Sequence, residues 1–75
     1  MATRLEQKKA LRKWGFKVLA LYDPVIGEFF VFVYEKDNVK IGWNIRQQVG
    51  GYSIDNESHV ILSWEVLKDL MEQIL

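Results

Sequence analysis

The run Glu28-Phe29-Phe30-Val31-Phe32-Val33-Tyr34-Glu35-Lys36 constrains the fold more than any other part of the chain. Its aromatic and β-branched side chains favour a strand, and it carries no helical stripe. Asp37-Asn38 follows, and both residue types tolerate positive φ, which suits a two-residue hairpin turn. Val39 to Val49 then reads as the return strand, in which Val39, Ile41, Trp43 and Ile45 alternate with Lys40, Gly42, Asn44 and Arg46. Alternate side chains of a strand point to opposite faces. The turn therefore sets Phe30, Phe32 and Tyr34 beside the apolar row of the return strand, and that side is expected to be the core. The second side sets Phe29, Val31 and Val33 beside Lys40, Gly42, Asn44 and Arg46.

The flanking segments complete an α+β chain. Thr3-Arg4-Leu5-Glu6 has capping-box spacing, the residues through Lys13 are mostly good helix formers, and Gly15 can end the helix. Leu5, Ala10, Leu11 and Trp14 make no clean stripe at the helical period, which predicts a lightly docked helix or an arm that orders on contact. Phe16 to Tyr22 reads as a strand, and Asp23-Pro24-Val25-Ile26-Gly27 as a loop. Gly50-Gly51 is expected to break the return strand. Tyr52-Ser53-Ile54 then forms a short edge segment, Asp55 to Ser58 a polar loop, and His59 to Leu62 a last strand. Ser63 is a good N-cap, and Leu67, Leu70, Met71 and Ile74 repeat at helical spacing behind it. The expected architecture is one domain over 1–75. It has a short basic helix or arm over 1–15, a curved antiparallel sheet of about four strands over 16–62, and a C-terminal helix over 63–75.

Composition matters where it excludes. The chain has 75 residues and no cysteine, so disulfides, thiolate metal sites and a cysteine nucleophile are absent. His59 is the lone histidine, no Ser-His-Asp set suggests itself, and Glu65, Asp69 and Glu72 read as a solvated helix face. The glycines at 42, 50 and 51 do not form a phosphate-binding loop. Neither an enzyme, a cofactor nor a metal is expected. No apolar run approaches the roughly 20 residues of a membrane span and no secretory leader is evident, so a cytoplasmic protein is expected.

Aromatic content is 13% in a chain that buries only about 60% of its unfolded surface. Some rings are therefore expected to meet a partner. Trp64, Val66 and Leu75 widen the stripe of the last helix, and Trp64, Leu67, Leu70, Met71 and Ile74 are the residues expected at a homodimer interface, with a fully packed core helix as the alternative. Charge is balanced overall but unevenly placed. Residues 1–17 hold Arg4, Lys8, Lys9, Arg12, Lys13 and Lys17 against Glu6, a net +5, while residues 18–75 carry a net −5. Rings, a flat glycine and cations on one sheet side suit unpaired nucleic acid, since bases stack while cations meet phosphates. Cover by the N-terminal helix would instead make that side a second small core.

The stretch over 27–74 resembles the transcriptional positive cofactor four family, also called the p15 coactivator family. The resemblance rests on Trp43-Asn44-Ile45-Arg46 and on Val60-Ile61-Leu62-Ser63 followed by Glu65, Leu67, Leu70, Glu72 and Ile74. It implies a curved four-stranded antiparallel sheet with a C-terminal helix. It also implies a dimer whose opposed sheet surfaces bind single-stranded or unwound DNA, as members in cells and phages do in transcription, replication and repair. By position, Arg46 would contact the backbone, with Lys40 a weaker candidate. Asp55-Asn56-Glu57-Ser58-His59 is acidic where the family carries a basic stretch, and the family's stacking aromatics would fall at Asp37 and near Val49. A member built this way would use Phe29, Tyr52 and the basic residues Lys8, Arg12, Lys13 and Lys17 instead. Two functions follow as expectations. One is a homodimeric binder of single-stranded DNA or RNA. The other is a small adaptor or inhibitor that docks on a larger protein.

Overall fold

The computed structural model describes residues 2–25 and 27–75, apart from the side chains of Leu21, Asp23, Glu28, Phe29 and Phe30. Ile26 of the predicted loop, and the faces expected of the Phe29 and Phe30 side chains, lie outside that description. The order is α1 (Arg4–Trp14), β1 (Lys17–Asp23), β2 (Gly27–Lys36), β3 (Val39–Asn44), β4 (Val49–Ile54), β5 (Glu57–Ile61) and α2 (Trp64–Ile74). The strands form one antiparallel sheet in the order β1-β2-β3-β4-β5, so every neighbour in sequence is a neighbour in space. The class is α+β as expected, with five strands rather than four.

Both helices start and stop where local chemistry dictates. Thr3 Oγ1 accepts from the Glu6 amide at 3.2 Å, and Glu6 Oε1 accepts from the Thr3 amide at 3.2 Å, closing the capping box of α1. Gly15 then takes φ 99, the left-handed conformation that ends the helix, and its N–H returns to the last turn. Ser63 Oγ accepts from the Val66 amide at 3.3 Å and caps α2.

Turn chemistry sets the bounds of the last two strands, expected as a short edge segment over 52–54 and a strand over 59–62. Asp55 and Asn56 both adopt positive φ, the signature of a two-residue hairpin turn, and join β4 to β5. Ile45 to Gln48 form a turn and not the end of a strand, because Asn44 Oδ1 accepts from the Arg46 and Gln47 amides at 3.0 Å each. The return strand thus stops at Asn44. Gly50-Gly51, expected to break it, lies inside the six-residue strand β4. Gly50 faces Trp43 across the ladder, and a Cβ there would stand 3.0 Å from Trp43 Cε3 and collide with the Gly42 carbonyl oxygen. Glycine at 50 lets the indole lie flat against the sheet.

Directly paired residues of an antiparallel ladder share a face. Val18-Phe32-Trp43-Gly50-Ile61 and Tyr34-Ile41-Tyr52-His59 are two rows of the same side. Phe32, Tyr34, Ile41, Trp43 and Ile61 are buried there with Leu11 of α1, Phe16, and Trp64, Leu67 and Met71 of α2. Trp14 stacks on Trp64 at 5.4 Å, and Trp64 meets Trp43 at 6.0 Å. Most of the described rings thus lie in the chain's own core, while Tyr22 is exposed. Among the described residues the Trp43 indole N–H is enclosed without an acceptor, at a cost of about 1–3 kcal/mol.

α1 is not a loose arm. Leu11 is fully buried, and the amides of Gln7 and Gln48 exchange hydrogen bonds of 2.9 and 2.8 Å, tying the helix to the β3–β4 turn. Gln48 also donates to the Ile45 carbonyl at 2.6 Å, which holds its positive φ of 56 in place.

Two outcomes follow for the basic helix. Leu11→Ala is expected to cost about 3 kcal/mol in urea unfolding, as for other fully buried leucines, whereas an arm would lose almost nothing. The backbone hydrogen bond from Thr3, then the side-chain one, holds the Glu6 carboxyl below its ordinary value of 4.5. The cap contribution is therefore complete above pH 4.5 and disappears as pH falls through the lowered folded-state value. A carboxyl NMR titration of Glu6 with its midpoint at or above 4.5 would contradict this.

Candidate functional site: the helix-free face of the sheet

Because α1 and α2 pack on the same side, the other side of the sheet carries no helix. Its rows follow from the register. Glu35-Lys40-Ser53-Ser58 forms a polar margin near the two hairpin turns. Lys17-Val33-Gly42-Gly51-Val60 runs through the middle, and Leu19-Val31 and Asn44-Val49 lie beyond it. Leu19 is 47% exposed and Val60 69%, while Val31, Val33 and Val49 are half-buried by one another. β-branched side chains on a bare pleated face make a ridged apolar surface of the kind that packs against another protein layer.

The two glycines in the middle row differ from Gly50. A Cβ on Gly42 would find Val31 Cγ1 at 3.8 Å, an ordinary contact, so the fold leaves room for a side chain there. A Cβ on Gly51 would stand 3.1 Å from the His59 carbonyl oxygen, which is tight but not forbidden. Gly42 and Gly51 are direct partners across β3 and β4. Together they leave a side-chain-free trough between Val33 and Val60. Interior glycine in a strand weakens it and marks close approach by something else.

The predicted contact residues are dispersed. Lys17 and Lys40 are exposed and share the helix-free face, with Lys40 directly across from Glu35. Tyr52 belongs to the helix-covered side, where it packs on the core and stacks on His59 at 4.9 Å. Phe29 pairs with Leu21 in the backbone register, but its side chain lies outside the described residues. Arg46 is exposed in the β3–β4 turn rather than in a strand, and its carbonyl accepts from Arg4 Nη2 at 3.2 Å. Lys8, Arg12 and Lys13 are exposed on α1, which docks on the opposite side of the sheet through Gln7 and Leu11. The expected single surface of rings and cations is therefore split between two sides.

Residues expected at a helix-mediated interface are placed differently too. Trp64, Leu67 and Met71 are buried within the protomer, and Leu70 and Ile74 pack half-buried against the same core. Val66 and Leu75 are the large apolar residues that α2 and its cap leave exposed.

Among the described residues no group of three or more His, Asp or Glu is placed to hold a metal ion. A depression beside the Asp37-Asn38 turn, lined by Tyr34, Lys36, Asp37, Asn38, Val39 and Ile74, holds about 160 Å³. That falls below the roughly 300 Å³ at which small-molecule sites begin. Among the described residues no helix is long and apolar enough to cross a membrane. No known protein family, curated protein or solved structure matches the chain.

The contrast between two glycines is measurable. Gly50→Ala is expected to lose about 2 kcal/mol or more in urea unfolding, because backbone and indole must both shift. Gly42→Ala is expected to leave stability unchanged or raise it by up to about 1 kcal/mol. Equal destabilisation by both would mean that the fold itself needs the trough.

Proposed function

We propose that this chain is a small protein-docking module of the adaptor or inhibitor kind, with the helix-free sheet face as its working surface. One observation carries the reading: Leu19, Val31, Val33, Val49 and Val60 share a face that neither helix covers. An apolar centre with a margin of Glu35, Lys40, Ser53 and Ser58 has the layout of a protein interface, dry in the middle and polar at the rim. Enzymatic chemistry forms no part of this reading.

A second reading keeps the likeness to the p15 coactivator family: a homodimeric single-stranded nucleic-acid-binding protein acting in transcription, replication or recombination. It is favoured by Lys17 and Lys40 beside the flat Gly42-Gly51 pair, and by the exposed Arg46, Lys8, Arg12 and Lys13. It is weakened by the placement of Tyr52 and all three tryptophans on the helix-covered side, away from any base lying on the bare face.

A paired experiment separates the two. The immobilised chain is expected to retain one stoichiometric protein that survives nuclease and high salt, and to lose it when Leu19 and Val60 are both changed to Glu. Labelled oligonucleotides at low salt are expected to show no binding at micromolar protein. Salt-sensitive oligonucleotide binding that persists in the Leu19→Glu, Val60→Glu chain and weakens with Lys17→Ala and Lys40→Ala would overturn the docking reading in favour of the second.

A further inference from the structure

The trough and the ridges beside it say what the bare face accepts. Gly42 stands in the interior of β3 with room for a Cβ in ordinary contact with Val31, where most other residues would strengthen the strand. Packing inside the protomer does not account for it, as Trp43 accounts for Gly50. What remains is an object outside the protomer that comes close to the backbone at Gly42 and Gly51.

Resting on the docking reading above, we propose that this object is a second copy of the chain, stacked sheet against sheet through the helix-free faces. Valines 31, 33, 49 and 60 supply ridges, and Gly42-Gly51 supplies a trough on the same surface. A two-fold axis can therefore seat ridges of each copy against the trough of the other, the self-complementarity that an isologous contact requires. Area agrees. The molecule measures 35 × 30 × 20 Å, and the shortest extent matches one sheet layer plus one helix layer. The sheet face is then bounded by 35 × 30 Å, at most about 1,000 Å², against the roughly 800 Å² per partner typical of a stable complex. Charge agrees as well: the formal net charge is zero, so two copies meet without net repulsion. This contact lies on the side of the sheet opposite α2 and leaves both helices facing outward.

Mass by light scattering or equilibrium sedimentation tests the proposal on the full chain, from low to several hundred micromolar. The expected species is a reversible dimer of the 8.8 kDa chain. Gly42→Val is expected to remain folded by circular dichroism and to weaken dimerisation at least about tenfold, with Gly42→Ala weakening it less. Val66→Glu, on the outer side of α2, is expected to leave it unchanged. A chain that stays monomeric throughout overturns the proposal. So does a dimer indifferent to Gly42→Val, Gly42→Ala and Val60→Glu. If the chain is monomeric yet still retains a stoichiometric protein that Val60→Glu releases, the second-copy proposal fails while the docking reading stands. If it is monomeric and retains none, both fail.

Discussion

Everything in this molecule depends on the packing of two helices against one side of one sheet, around the indole of Trp43. Trp43 is fully buried, Trp64 leans on it from α2, and Trp14 stacks on Trp64 from the end of α1. Gly50 makes room for the indole by having no side chain where one would collide. With both helices committed to that side, no described helix covers the other side of the five-stranded sheet. The bare face is thus a consequence of how the core is built.

A 75-residue chain has little apolar surface to spare, and here that surface falls into two classes. Aromatic rings went largely to the core. Valine and leucine went to both sides, so among the described side chains the open side is ridged and aliphatic. That distribution favours a protein layer over stacked bases as the occupant. Basic residues follow a different logic. Lys8, Arg12 and Lys13 lie on the solvent side of α1 because Gln7 and Leu11 hold its inner side against the sheet. Lys17 and Lys40 do lie on the open face, whereas Arg46 sits in the β3–β4 turn.

Much of the fold was legible in the chain itself. Capping at Thr3 and Ser63, the left-handed Gly15, the Asp37-Asn38 turn and the core side of the central hairpin all follow from local chemistry and strand alternation. Two things were hidden. Asn44 ends β3 by capturing the next two amides with its side chain, a local bond that competes with the extended reading of Ile45 and Arg46. Gly50-Gly51 looked like a break because glycine usually is one, whereas the need for glycine at 50 comes from the close approach of β3, where a Cβ would collide with the Gly42 carbonyl oxygen and press on Trp43. The Asp55-Asn56 pair repeated the signal already read at Asp37-Asn38 and marked β4 and β5 as a second hairpin. Docking of α1 was obscured because a glutamine, and not an apolar residue, makes its first inward contact.

The central claim is that a second copy of the chain covers the helix-free face. Accessibility of valine and leucine methyl groups to a soluble paramagnetic agent, measured by NMR as the protein is concentrated, addresses it most directly. The account predicts that Leu19, Val31, Val33, Val49 and Val60 lose accessibility together with rising concentration, while Val66 on the outer side of α2 does not. Constant accessibility of all five at every concentration, or protection appearing at Val66 instead, would contradict it.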